Sequence, residues 1–299
     1  MATFGKLIRF KDAAGTAFYG EAEGLPSINK QGLVGSSVPV YAGESPWDLN
    51  FRLTAETKSI AEVLPPLSHV PVFYCVGMNY KTHAREAGVE LTAIIGQDCK
   101  NVSEDEDPFD YILGYTVGND ISSRWWQVPE RSNGQPAAAK SFDKFAPLGP
   151  VITSKRLIPD PTRLRVSTRV NGERRQYSGT EDWIFDLGLL IRHLSRGTTL
   201  RKGSVIMTGT PSGVGYFMKP QTWLKHGDIL ETEIDGIVTP IERLFMVILY
   251  ATNSTKSVLL SSGAPLQEAS ISTCLVRRLD YGLRRQFRPI SDRGTYKEQ

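Results

Sequence analysis

Two kinds of apolar spacing run along this chain. Over "RLRVSTRVNGERRQY", Leu164, Val166 and Val170 alternate with Arg163, Arg165 and Arg169. That is the period of a half-buried strand, and Asn171-Gly172 marks the turn of a hairpin because both residues accept positive φ. "KLIRF", "DAAG" and "TAFYGE" repeat the arrangement near the N-terminus. "HVPVFYCVGMNY" is apolar without alternation, as a strand buried on both faces would be. "GSVIMTGTPSGVG" reads as a strand entering a Gly-rich loop, and "GDILETEIDG" as a turn and strand. Helical spacing is confined to two places. In "GTEDWIFDLGLLIRHLSRG", Ile184, Leu187, Ile191 and Leu194 recur on one face. There Thr180 is predicted to cap the helix, Glu181 and Asp182 suit its positive end, and Gly197 ends it after His193 and Arg196. "TAETKSIAEVLPPL" predicts a short helix closed by Pro65 and Pro66. Many short strands with few helices predict a β-rich α+β fold, a mixed sandwich or roll rather than a doubly wound sheet.

Composition changes little in that picture. Of 299 residues, 40% are hydrophobic and 22% charged, ordinary for a globular enzyme. The net charge of +3 belongs to one end: from Arg277 on, seven Lys/Arg face three Asp/Glu. The rest sits near −1, so no nucleic-acid groove is expected. No apolar run reaches transmembrane length, and no membrane partner is expected. The first residues lack a signal-peptide core. Cys75, Cys99 and Cys274 form no motif, which suits a reducing compartment. A cytoplasmic location is expected ahead of a mitochondrial one.

The candidate chemistry begins at "HAREAGVELTAIIG". His83 and Glu86 stand three apart, where a carboxylate can orient a basic imidazole. Glu90 opens a strand-like run, and Asp120 closes another, "YILGYTVGND". Carboxylates at strand ends without a His/Cys cluster suit Mg²⁺, Mn²⁺ or Ca²⁺ rather than zinc. Gly88 shares a strand face with Glu90, where a second ligand would stand. Each signal has a plain alternative: an exposed glutamate, a chance His-x-x-Glu, a surface lysine at Lys140. In "TGTPSGVG" the spacing is neither that of a phosphate loop nor that of a dinucleotide fingerprint. Gly213 and Gly215 can be there for backbone reasons, or the loop can present Thr210 and N–H groups to an anion.

Seven stretches in one order change the weights: "CVGMNYKTHAREAG", "IIGQDCKNVSEDE", "GYTVGNDISSRWWQ", "AAKSFDKFAPLGPVI", "TRVNGERRQ", "DWIFDLGLLIRHLS" and "GSVIMTGTPSGVG". Together they resemble the fumarylacetoacetate hydrolase family, in particular its acylpyruvase and oxaloacetate decarboxylase branch. The resemblance implies a small N-terminal β-rich region over 1–70, a catalytic core over 71–237 and a divergent, unpacked tail over 238–299. It implies a Mg²⁺ or Mn²⁺ ion held by Glu90 and Asp120. It implies that His83, oriented by Glu86, activates water, that Lys140 and Gln127 hold substrate and oxyanion, and that Thr210 belongs to the substrate loop. The implied activity is metal-dependent cleavage of a C–C bond in a small β-diketo or 2-oxo acid, with oxaloacetate decarboxylation as a companion, in a homodimer.

Two departures qualify this. The family's Glu-x-Glu strand has Gly88 in place of its first Glu, because "HAREAG" runs directly into "VELTAIIG" where a longer segment is normal. After "EIDGI" the family pattern is lost. The alternatives are therefore a catalytically impaired remnant without a competent metal site, or an isomerase or hydratase of the same superfamily. Gly88→Glu is expected to strengthen metal binding.

Overall fold

A computed structural model describes residues 3–28, 30–81, 88–237, 244–247 and 274–275. His83, Glu86 and most of the tail lie outside the described residues. The strands are β1 (Lys6–Lys11), β2 (Ala17–Glu21), β3 (Ser37–Ala42), β4 (Arg52–Ser59), β5 (Glu62–Leu64), β6 (Phe73–Cys75), β7 (Val89–Ile95), β8 (Ile112–Asn119), β9 (Val151–Ser154), β10 (Arg165–Val170), β11 (Glu173–Gly179), β12 (Val205–Met207), β13 (Ile229–Ile234), β14 (Leu244–Val247) and β15 (Cys274–Leu275). The helices are short: α1 (Lys30–Leu33), α2 (Arg124–Gln127), α3 (Pro129–Ser132) and the nine-residue α4 (Leu187–Ser195). The β-rich class read from the apolar pattern is the one observed.

One large sheet runs β15-β6-β12-β7-β8-β9-β1-β2-β3-β4, with β5 beside β1. The N-terminal strands thus continue the sheet of the central ones. A second sheet, β11-β10-β13-β14, packs its β10 against β7. Every residue of β7 and β8 is buried, the polar Glu90, Thr92, Thr116 and Asn119 included. Their side chains still alternate. Val89, Leu91, Ala93 and Ile95 join the cluster that holds Leu187, Leu190, Ile191 and Leu194 of α4. Ile94 belongs to the other cluster, with Leu7, Leu113 and Ile152. Glu90 therefore opens the face away from α4.

Both sequence-predicted hairpins form. Asn171 and Gly172 adopt φ 51° and 83° between β10 and β11, and β1 pairs antiparallel with β2. The two predicted helices fare differently. "TAETKSIAEVLPPL" is extended, not helical, because β3 supplies a ladder for Ser59, Lys58 and Thr57. Its Ala, Glu and Lys residues favour helix, but β4 is an exposed edge strand whose hydrogen-bonding partner outweighs that weak preference. The second helix exists but starts at Leu187. Its cap is Asp186, whose side chain accepts from the Leu189 N–H at 2.8 Å. Thr180 instead donates to the Pro161 carbonyl at 2.7 Å and accepts from the Leu164 N–H at 2.9 Å. Glu181 and Asp182 stand in a separate 3₁₀ turn, and Ile184 is exposed. Beyond Ile237, the described β14 pairs with β13, Val247 opposite Ile229.

Candidate active site

The site forms where β7, β8 and the loop after β12 meet. Glu90 and Asp120 are 1% and 5% exposed, so neither is a solvated strand-end carboxylate. β7 pairs with β8 so that Glu90 faces Gly118, and the Asp120 N–H donates to the Gly88 carbonyl at 2.9 Å. Lys140, in the 3₁₀ turn Pro136–Lys140, is no surface lysine. Its ammonium makes an ion pair with Asp120 and donates to Ser122 Oγ at 3.1 Å.

The electrostatics follow from burial. Desolvation, then the negative charge of Asp120, push the Glu90 carboxyl well above the usual carboxylate range. Lys140 and the Gly209 N–H, 2.8 Å from Glu90 Oε2, pull the other way without prevailing. Burial works to lower the Lys140 pKa, but Asp120 above all outweighs it, and the group is raised and cationic. Two buried carboxylates therefore share one ammonium, and Glu90 is short of positive charge.

The residues fit a hard divalent cation. Two converging carboxylates with a charge deficit suit Mg²⁺ or Mn²⁺, the remaining positions falling to water and substrate oxygens. No group of three His, Cys, Asp or Glu side chains converges among the described residues. Position 88 does not supply a third. A Cβ there would lie 2.8 Å from Gln176 Oε1 and 3.1 Å from Thr210 Oγ1. The space is filled by a hydrogen-bonded pair, Gln176 Nε2 to Thr210 Oγ1 at 2.9 Å. The expectation that Gly88→Glu would strengthen metal binding must therefore contend with a clash.

A cavity of about 280 Å³ opens from Asp120, lined among others by Asn119, Arg124, Arg175, Tyr216 and Trp223. The Arg124 guanidinium lies 5.1 Å from the Tyr216 ring centre and 5.6 Å from that of Phe217. Gln127 stands on the same short helix as Arg124, is not part of the cavity wall, and its Oε1 accepts from Arg124 Nη1 at 2.8 Å. Thr210 is buried, and its hydroxyl donates to the Val89 carbonyl at 2.8 Å. So the structure brings Glu90, Asp120 and Lys140 together, and puts Thr210 behind Glu90 as a strut.

Arg175 and Gln176 were not singled out from the sequence. Their only signal is the polar string "ERRQ" after Asn171-Gly172, where alternation would have sent one of the pair to solvent. The Gly-rich loop is held by its backbone at two points. The Gly209 N–H serves a carboxylate. Gly213, at φ 109°, lets the loop come so close to the Arg175 carbonyl that a Cβ would collide with it.

The chain has recognisable relatives. The C-terminal domain model of fumarylacetoacetate hydrolase matches residues 63–244. A mitochondrial oxaloacetate tautomerase of Xenopus laevis is 35% identical over 249 residues, covering 71% of this chain and 77% of its own. A fumarylacetoacetate hydrolase domain-containing protein of Dictyostelium discoideum is 36% identical over 208 residues, 54% of this chain and 68% of its own. Among solved structures, a fumarylacetoacetate hydrolase from Exiguobacterium antarcticum superposes with TM-score 0.66 at 26% identity, covering 83% of this chain and all of that one. A 2-hydroxyhepta-2,4-diene-1,7-dioate isomerase from Mycobacterium marinum gives 0.65 at 27%, covering 82% and 98%. No helix among the described residues is long and apolar enough to cross a membrane. The chain belongs to the fumarylacetoacetate hydrolase family, whose members are hydrolases, isomerases and tautomerases.

Proposed function

We propose that this protein is a metal-dependent enzyme of small 2-oxo acids that works by stabilising an enolate. The observation that carries the reading is the buried Glu90–Asp120–Lys140 cluster, whose Asp120 lines the cavity. Glu90 and Asp120 would hold Mg²⁺ or Mn²⁺, which when bound supplies Lewis-acid polarisation of the substrate's oxo group. Lys140 keeps its proton in that setting, so its ammonium stands ready to stabilise oxygen charge as it develops. Burial of the cluster excludes water, which strengthens that interaction.

The reaction built on this enolate is hydrolysis of a C–C bond in an acylpyruvate or a related β-diketo acid, with decarboxylation of oxaloacetate as the companion. Hydrolysis adds a requirement for His83, oriented by Glu86, to take a proton from water. A second reading, keto–enol interconversion of oxaloacetate, is favoured by the name of the Xenopus relative. It needs the same cluster but no activated water. A homodimer is proposed on the resemblance alone.

The deciding experiment supplies Mg²⁺ or Mn²⁺ to the purified chain with acetylpyruvate in one cuvette and enol-oxaloacetate in another. Loss of diketone absorbance with release of acetate supports the hydrolase. Decay of the enol without release of carbon dioxide supports the tautomerase. Turnover of neither above background refutes the enzyme reading and leaves an impaired relative.

A further inference from the structure

Arg175 has an unusual position. Along β10 and β11, Thr168 pairs with Gln176 but Arg169 pairs with Arg174. Arg175 is thus the extra residue of a β-bulge, the device by which a strand re-aims one side chain. In a regular strand Arg175 would face away from Gln176. Here Gln176 is buried and lines the cavity, and Arg175 lines the same cavity, while Arg174 is exposed and lies 5.0 Å from the Tyr177 ring centre. Gly213 seats the bulge by close approach to the Arg175 carbonyl.

The partners of this guanidinium are poor. Nη2 pairs with Glu173 at 3.0 Å, but the Glu173 side chain is 65% exposed, and such pairs are weak. Nη1 has the Met218 thioether at 3.0 Å, a weak acceptor. Nε is buried and has no hydrogen-bond partner among the described residues. A buried donor is normally satisfied, and this one belongs to a side chain that lines the cavity. The other arginine of the wall, Arg124, lies against Tyr216 and Phe217 and donates to Gln127.

We propose that Arg175 is the receptor for the distal carboxylate of a dicarboxylic substrate, its bulge-directed guanidinium facing an acid group at the end of the molecule remote from Asp120. A carboxylate accepts two parallel N–H bonds from such a fork, which a neutral or methyl terminus does not. This deepens the 2-oxo acid reading, on which it rests for the reacting end: among acylpyruvates and related oxo acids, those with a second, terminal carboxylate are bound in preference to monoacids such as acetylpyruvate.

The test uses the whole chain and unreactive probes, so that it does not depend on turnover. Succinate and butanoate differ by one terminal carboxylate, and their affinities are compared by calorimetry. The wild type should prefer succinate by at least about 10-fold, the scale of a charge-assisted pair. Arg175→Met should remove that preference, and Arg175→Lys should restore part of it, since lysine keeps the charge but not the fork. Glu173→Gln, which releases a competitor from Arg175, should increase it several-fold. Thermal melts check that each variant is folded; should Arg175→Met fail to fold, the Lys and Glu173→Gln variants decide. Absence of the preference in the wild type, or its survival in Arg175→Met, overturns the assignment. An Arg175-dependent preference in a chain that turns over no oxo acid sinks the enzyme reading and leaves the receptor standing. Turnover of oxo acids without any such preference does the reverse.

Discussion

Two glutamates in one sheet, one half-buried and one fully buried, are treated in opposite ways. Glu21, at the end of β2, accepts from the Gly5, Lys6 and Glu23 N–H groups at 2.8, 2.7 and 2.9 Å and from the Tyr41 hydroxyl at 2.6 Å. Burial works to raise its pKa, yet these donors outweigh burial, and the carboxyl lies below its usual range. Glu90, on β7, receives the Gly209 N–H and the company of a second carboxylate, and it lies well above. The supply of donors, set against the depth of burial, decides which way a carboxylate pKa moves. Glu21 is a knot that ties the N-terminal strands. Glu90 is left wanting a cation, which is what a ligand position needs and a structural position avoids.

The largest test of this contrast removes the ammonium that pairs with Asp120. Lys140→Met leaves two buried carboxylates together, and should lose about 3–5 kcal/mol of stability, as breaking a buried ion pair does. Urea unfolding with and without Mn²⁺ reads it, and Mn²⁺ should recover part of the loss. A variant as stable as the parent without metal would break the comparison at its centre.

Next comes the knot. Glu21→Gln replaces an anion by a neutral amide that turns a donor toward other donors. A loss of about 2–3 kcal/mol near neutral pH is expected. The sign of the pH effect is fixed by the lowered pKa: the contribution is present above the unfolded glutamate value and disappears as pH falls through the folded one. The gap between parent and variant should accordingly close in acid. A gap that is constant with pH would mean that the Glu21 charge is not what the donors hold.

A smaller effect is expected at Gly88. Gly88→Glu meets Gln176 and Thr210, and should cost about 1–3 kcal/mol as overpacking does, without raising Mn²⁺ affinity. Adding Gln176→Ala vacates the space, and only the double variant should bind Mn²⁺ more tightly. A gain in the single variant would show that Gln176 yields easily.

The smallest stability change is predicted at Glu90 itself. Burial and the neighbouring Asp120 already disfavour its charged form, so Glu90→Gln should stay within about 1 kcal/mol of the parent while Mn²⁺ affinity drops about 10-fold or more. A stability loss as large as that of Glu21→Gln would erase the distinction between the two sites.

Much of this was legible in the sequence, for local reasons. Asn171-Gly172 specified its hairpin because positive φ is a property of two residues. The run "HVPVFYCVGMNY" announced a buried strand because no wet face could be drawn on it, and Tyr74 and Cys75 of β6 are buried. The ordered stretches led to Glu90, Asp120 and Lys140. What the sequence hid depends on a neighbour. Residues 52–59 are extended because β3 lies alongside. Thr180 yields its capping role to Asp186 because its hydroxyl is engaged by Pro161 and Leu164. Arg175 reaches the cavity because a register shift, invisible to period counting, turns it there.

The position of β12 between β6 and β7 has a consequence in time. Thr208, directly after it, holds Asn79 from 129 residues away, and Gly209 reaches Glu90 across 119. A chain being synthesised cannot complete its central sheet, nor give Glu90 its backbone donor, until the stretch past residue 209 has emerged. Until then β7 has an open edge along a strand rich in apolar residues, the kind that pairs with strangers. Closure across such separations is slow. Refolding should therefore be sensitive to protein concentration, and a peptide copying β12 should slow it by occupying the gap.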